Sequence, residues 1–283
     1  MNIVGLGQAG CRIAERFKEY PQYNIYKIDV GTKGKNCFNM PKQEHPEKYE
    51  EKFPAKKMKT FLNKIRGNVL LITSCGNISG AILRIMEYLR PKCKIEVLYV
   101  KPDRNTLGKI NSLQENLVFG VLQEYARSAV IENTYIVSNA QVYKILKNVT
   151  VKEYYDKLNE LIVSTFHMVN IFKHSESAIN TFSNPIAPAR IASIGLVDYH
   201  SGEEKMFFSL DYPREKRYYY AMPEEVLEKD GKLLENIQEQ IRQNKEHKQT
   251  KSSYGIFSTK YSEIYAYCVA KASYVQENDL TSE

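Results

Sequence analysis

Residues 2–10 read NIVGLGQAG, a short apolar run from Asn2 to Leu6 that stops in the G-x-G-x-x-G pattern of Gly5, Gly7 and Gly10. Downstream, Ile13, Ala14 and Phe17 fall at helical spacing between Cys11 and Tyr20, so a strand passes into a helix through the glycines. Such a turn lets backbone approach an anion. The first N–H groups of the helix have no partner within it and point outward, with the positive end of the helix dipole behind them. A second turn of this kind lies in residues 68–82, NVLLITSCGNISGAI, where a fully apolar strand (Asn68 to Thr73) runs into SCGNISGA and a helix that continues through Leu89 and ends at Pro91. Two such turns on one sheet suit a di- or triphosphate, and residues 5–12 and 74–80 are expected to converge at the carboxyl edge of that sheet. The first turn alone also opens NAD-binding folds, and Asp29 stands where those folds carry the acid that binds ribose. An NAD(P) oxidoreductase therefore stays open as an alternative at this point.

Outward from these turns, strands are expected at Tyr23 to Val30, Lys94 to Val100 and Thr134 to Val137, with a helix over 107–129. Residues 31–60 carry Gly, Pro and charge without a period and read as loop with a short helix near the end. Strands apolar on both faces that alternate with helices predict a doubly wound parallel sheet of at least five strands. A long helix follows at 151–173, where Leu158, Leu161, Ile162, Phe166 and Val169 form a wide apolar face. From Ile191 the composition becomes α+β, with strand-like runs IASIGLVDY, EKMFFSLDY and YGIFSTKYSEIYAYCVAKASY of hairpin type around one polar helix at 223–245. The expected domains are a nucleotide-binding domain over 1–174, which includes the long helix, and a smaller C-terminal domain over 187–283.

With 283 residues and 43% apolar content, the chain can bury a proper core. No run approaches the ~18 to 20 apolar residues of a membrane span, and MNIVGLGQAG has neither a basic n-region nor a cleavage site, so a cytoplasmic protein with no membrane partner is expected. The five cysteines form no C-x-x-C pair and the five histidines no H-E-x-x-H, so no metal site is expected. The net charge of +7 is spread among 33 acidic residues. The densest stretches, 41–66 and 241–251, mix Lys with Glu, Gln and Pro, so they read as solvated faces and no nucleic-acid partner is expected.

The two turns also resemble a family. Gly7, Gln8, Ala9, Gly10, Cys11, Arg12 and Ile13 look like the tubulin phosphate turn G-Q-A-G-x-Q-I, and Gly5, Leu6 and Gly7 look like the FtsZ form of the same loop. Gly76, Ser79 and Gly80 stand in places matching the family's G-G-G-T-G-(S/T)-G signature. Lys101 and Pro102 are similar to the T-K-P-F of FtsZ, Gly108 to the glycine of F-E-G-x-x-R, and IVSNAQVYKIL at 136–146 to I-x-P-N-x-x-L. Tyr155 and Asn159 resemble F-x-x-x-N-x-x-L, in which the ring stacks on guanine and the Asn reads its edge; the spacing puts both on one helix face. The resemblance implies a tubulin/FtsZ-like protein of the divergent kind found in phages and plasmids. It would bind GTP or GDP, with Mg2+ as a candidate companion, and assemble head to tail by self-association. Nucleotide contacts are implied at Gly7, Gln8, Ala9, Gly10, Cys11, Arg12, Ser74, Gly76, Asn77, Ser79, Gly80, Pro102, Tyr155 and Asn159.

The departures bear on chemistry. Asn77 and Ile78 replace Thr and Gly of the signature, Leu107 and Asn111 replace Glu and Arg, and Arg12 stands at the place of a base-contacting amide. After the long helix, the family's I-N-x-D-x-x-D reads Ile179, Asn180, Thr181, Phe182, Ser183, Asn184, Pro185 here, so an inter-subunit loop would present Asn180, Phe182 and Asn184 with neither carboxylate. No catalytic residue is assigned, and weak or absent GTP hydrolysis is expected, with Glu176 and Asp198 as the nearest acids. The eroded signature keeps a further alternative open, a nucleotide-free structural protein with the same fold.

Overall fold

A computed structural model describes residues 1–103, 107–146, 148–244 and 249–275. The chain forms two compact units, Met1–Val163 and Ser164–Glu283.

In the first unit, β1 (Asn2–Leu6) and α1 (Gly7–Arg16) are followed by β2 (Asn24–Asp29), β3 (Cys37–Asn39), α2 (Pro46–Glu51), α3 (Ala55–Leu62) and β4 (Gly67–Thr73). A 3-10 turn over Asn77–Ala81 leads into α4 (Ile82–Leu89), and then come β5 (Cys93–Lys101), α5 (Lys109–Arg127), β6 (Asn133–Ser138) and α6 (Asn139–Ile145). The helix α7 (Tyr154–Lys173) begins in this unit. The strands stand in the order β3-β2-β1-β4-β5-β6, and every pair is parallel. Their burial on both faces explains the near-continuous apolar runs: Val69 to Ile72 and Val97 to Tyr99 are inaccessible to solvent. The order reverses between β1 and β4, the switch point at which doubly wound sheets place their ligands.

The stretch 31–60 is more structured than its composition predicts. β3 adds a sixth parallel strand, and both α2 and α3 form, with Tyr49, Met58 and Phe61 as their buried anchors. These short elements carry at most three buried residues each, too few to show a period.

The second unit carries the rest of α7, then β7 (Ile179–Asn180), β8 (Ile191–Val197), β9 (Glu204–Met206), β10 (Glu215–Pro223), α8 (Glu224–Lys229), α9 (Leu233–Gln243), β11 (Lys251–Thr259) and β12 (Tyr265–Ala272). Its strand order is β8-β12-β10-β11-β7, with β9 hairpinned onto β8. Four readings change here. The run EKMFFSLDY is strand only over Glu204–Met206, because Phe207 turns into the core and the Phe208 N–H leaves the ladder for the Ser193 hydroxyl. EKRYYYAMP, bracketed by charge and proline, is a central strand, with Tyr218, Tyr219 and Tyr220 all buried. β11 and β12, adjacent in sequence, do not pair: β10 lies between them, parallel to β11 and antiparallel to β12. The polar helix expected over 223–245 is two helices, broken at Asp230 and Gly231; residue 245 and part of the basic stretch 241–251 lie outside the described residues. Leu233, Ile237 and Ile241 of α9 pack on Tyr218, Tyr220 and Tyr254, which makes the β10-α8-α9-β11 passage a parallel crossover in an otherwise antiparallel sheet.

Candidate functional site

Each glycine of the first turn has a distinct reason to be glycine. A Cβ on Gly5 would lie 2.5 Å from the Gly10 carbonyl oxygen, and one on Gly10 would lie 2.2 Å from that of Ile72, so α1 starts tightly packed against β1 and β4. Gly7 has φ +74°, and a Cβ there would also meet Ile78 at 2.7 Å. That contact joins the first turn to the second, so residues 5–12 and 74–80 lie side by side at the carboxyl ends of adjacent strands. Gln8 and Ala9 are exposed at the open N-terminus of α1. The Cys11 side chain turns inward, its thiol donating to the Gly5 carbonyl at 3.3 Å, and burial, reinforced by the Asp29 carboxylate, pushes it up to about 12.

The second turn is mostly held by its own chain. Ser74 donates its hydroxyl to the Val100 carbonyl at 2.6 Å, and the Asn77 amide donates to the Glu44 carbonyl at 2.8 Å. Gly80 is small because Pro46 lies over it; a Cβ would sit 2.0 Å from the Pro46 carbonyl oxygen. Ser79 is buried, and its hydroxyl has no hydrogen-bond partner among the described residues. Gly76, in contrast, faces open space. Pro102 is half-buried just beyond β5.

Arg12, Tyr155 and Asn159 share one open cleft of about 600 Å3 between α1 and the start of α7. Tyr155 is 57% exposed, with its ring edge-on to Tyr154 at 5.0 Å, and Asn159 lies one turn further on, half-buried. Sequence reasoning passed over Arg16, Asp156 and Lys152, which also line the cleft. Arg16 lies one turn beyond Arg12 on the same face of α1 and pairs with Asp156 at 3.1 Å, tying α1 to α7. The i,i+4 spacing of two arginines was the available signal.

In the second unit, the stretch 179–185 is turned toward its own sheet. β7 pairs with Ile256 and Gly255 of β11, the Phe182 ring lies 5.3 Å from that of Tyr219 and against Gly255, and Arg217 donates to the Ser183 carbonyl. The Asn180 amide donates to the Ser177 hydroxyl, and Asn184 is exposed. Asp198 accepts from His200 and Ser201 in the β8–β9 turn, and those hydrogen bonds hold its carboxyl below the usual range, so it is committed to that turn. Glu176 is exposed.

No protein-family model matches the chain, and no curated protein matches it in sequence. Solved structures do. A GTPγS-form protofilament of TubZ from Bacillus thuringiensis serovar israelensis aligns over 97% of this chain and 87% of its own, at 17% identity and a TM-score of 0.73. The four-stranded filament of TubZ-Bt aligns over 95% and 85%, at 15% identity and 0.74. FtsZ of M. jannaschii aligns over 96% and 87%, at 13% identity and 0.69. Identities this low speak to architecture alone, and the architecture is shared from the first glycine turn through the last strand of the second unit: this chain has the tubulin/FtsZ fold.

Proposed function

We propose that this chain binds a guanine nucleotide and assembles head to tail into filaments or a scaffold, turning the nucleotide over slowly or not at all. One observation carries the reading: the exposed N-terminus of α1 and the open Gly76 lie side by side at the sheet's switch point. The cleft holding Tyr155 and Asn159 has the volume of a small-ligand site. In this reading Gly7 to Cys11 and the backbone around Gly76 hold the phosphates, and Tyr155 and Asn159, with Arg12 in the same cleft, face the base. Apart from the Ser79 hydroxyl, the second turn contributes backbone only, since Ser74, Asn77 and Gly80 are engaged elsewhere. No cluster of three His, Cys, Asp or Glu residues occurs among the described residues, so a Mg2+ ion would take its ligands mainly from phosphate and water. Self-association follows the solved TubZ assemblies, which are protofilaments and two- and four-stranded filaments. A protein working in the cytoplasm fits this role; no described helix is long and apolar enough to cross a membrane.

The nucleotide released on heat denaturation of the purified protein, identified by chromatography, tests the reading: GTP or GDP supports it, NAD(P) replaces it with the oxidoreductase. An empty protein that also fails to bind added GTP supports the nucleotide-free reading, which the internally engaged second turn favours. For the base, Asn159→Ala removes a paired polar contact worth about 1–3 kcal/mol, so GTP affinity should fall about ten-fold or more with the fold intact. Unchanged affinity in a titration would remove Asn159 from the site.

For hydrolysis, Asn180, Thr181, Ser183 and Asn184 can hydrogen-bond a water but cannot accept its proton at neutral pH. Turnover far below that of a carboxylate-bearing family member is expected, with filaments that persist. Steady-state phosphate release against protein concentration checks it. A rate that climbs cooperatively with assembly and collapses in Glu176→Ala would show that a displaced carboxylate performs the step.

A further inference from the structure

The helix α5 is apolar on two opposite faces. Its inner face carries Val118, Phe119, Leu122 and Ala126, all buried. Its outer face carries Ile110, Leu113 and Leu117, which are 81%, 70% and 67% exposed. Three residues past Leu117 comes Gly120, where an added Cβ would meet nothing within 4 Å. The outer positions 110, 113, 117 and 120 are spaced three, four and three, so the seam reads the same from either end. We propose that this face docks α5 of a second copy of this chain, antiparallel and about a two-fold axis.

In that arrangement Leu113 of each copy lies opposite Leu117 of the other, and Ile110 of each enters the notch left by Gly120. Large against small at both ends of an apolar seam is the knob-and-hole pattern of packed helix pairs, and a two-fold contact uses the same patch on both partners. Charge agrees with the register. Lys109, for which no ion pair occurs among the described residues, lies within one turn of the level of Glu124 of the second copy, an exposed residue whose ion pair among the described residues is with its neighbour Arg127. The stripe is also one wall of a groove of about 570 Å3 whose far wall carries Pro46, Ile82 and Leu83 beside His45, Glu47 and Glu50, so a docked helix meets apolar side chains with charge at the rim. A patch of the size class of ~300–600 Å2 falls short of the ~800 Å2 per partner of a standard interface, so the contact is weak and exchanging. It requires neither nucleotide nor head-to-tail growth.

The test uses full-length Leu113→Cys and Leu117→Cys proteins, mixed under mild oxidation, with Val151→Cys, 94% exposed, as the measure of random collision. In the proposed register the 113–117 pair lies within disulfide reach, whereas identical positions are offset along the axis. The mixture should therefore cross-link at least ten-fold faster than Val151→Cys and several-fold faster than either variant alone. Gly120→Leu, added to both variants, fills the notch and should cut the rate about ten-fold. Because leucine is a better helix former than glycine, a lost cross-link there cannot be ascribed to a weakened fold. A mixture no faster than Val151→Cys, single variants as fast as the mixture, or a rate indifferent to Gly120→Leu would each overturn the proposal.

Discussion

Gly10→Ala is expected to destabilise the first unit by about 3 kcal/mol or more, the upper end of over-packing costs. The added methyl would stand 2.2 Å from the Ile72 carbonyl oxygen and 3.0 Å from its carbon. Both are backbone atoms of β4, which is paired to β1 on one side and β5 on the other, so neither can retreat without breaking a ladder. Against a total stability of about 5–15 kcal/mol, this is a large fraction. Gly76→Ala is the matched control: it faces open space at φ −62°, so its effect should stay within about 0.5 kcal/mol. Urea denaturation of the two variants decides the matter. A Gly10→Ala protein as stable as Gly76→Ala would mean that α1 does not start against β4.

The second large effect lies behind the second turn. Lys101 and Glu115 form an ion pair at 3.1 Å with side chains 8% and 0% exposed; Lys101 also sits 4.2 Å over the Phe119 ring, and the Tyr99 hydroxyl donates to Glu115 at 3.4 Å. Removing one member takes from a buried charge its oppositely charged partner at 3.1 Å, so Glu115→Leu should cost about 3–5 kcal/mol. Replacing both, Lys101→Met with Glu115→Leu, removes both buried charges and should recover most of that loss. The coupling in this double-mutant cycle, read from denaturation midpoints, is expected to be well above 1 kcal/mol. A double variant no better than Glu115→Leu alone would show that packing, not charge, sets the cost.

The first unit was legible from its sequence because its strands are buried on both faces and its turns need glycine: Asn2–Leu6 and Gly67–Thr73 announce themselves by unbroken apolar runs ending in Gly5, Gly7, Gly10 and Gly76. The convergence of the two turns was readable, but not which side chains stay free to meet a ligand. Asn77 and Gly80 are occupied by Glu44 and Pro46, from a stretch whose structure its composition concealed. In the second unit, β10 was hidden because Glu215 and Lys216, charged yet buried, look like a solvated loop; Lys216 pairs with Glu204 at 2.8 Å, a partner 12 residues away that no local pattern exposes. The Phe182 contact with Tyr219 was invisible for the same reason.

The two strand orders also set different demands on a chain made from one end. In the first unit every new strand joins an edge that already exists: β2 beside β1, β3 beside β2, β4 on the other side of β1, then β5 and β6 in turn. The sheet can grow as the ribosome delivers it. In the second unit β12, the last of the described strands, belongs between β8 and β10. Until residues 265–272 have left the exit tunnel, both neighbours wait with a bare ladder edge, the kind of surface that pairs with other chains. A nascent chain stalled before Tyr265 should therefore carry a protease-resistant first unit and a second unit dependent on holding chaperones.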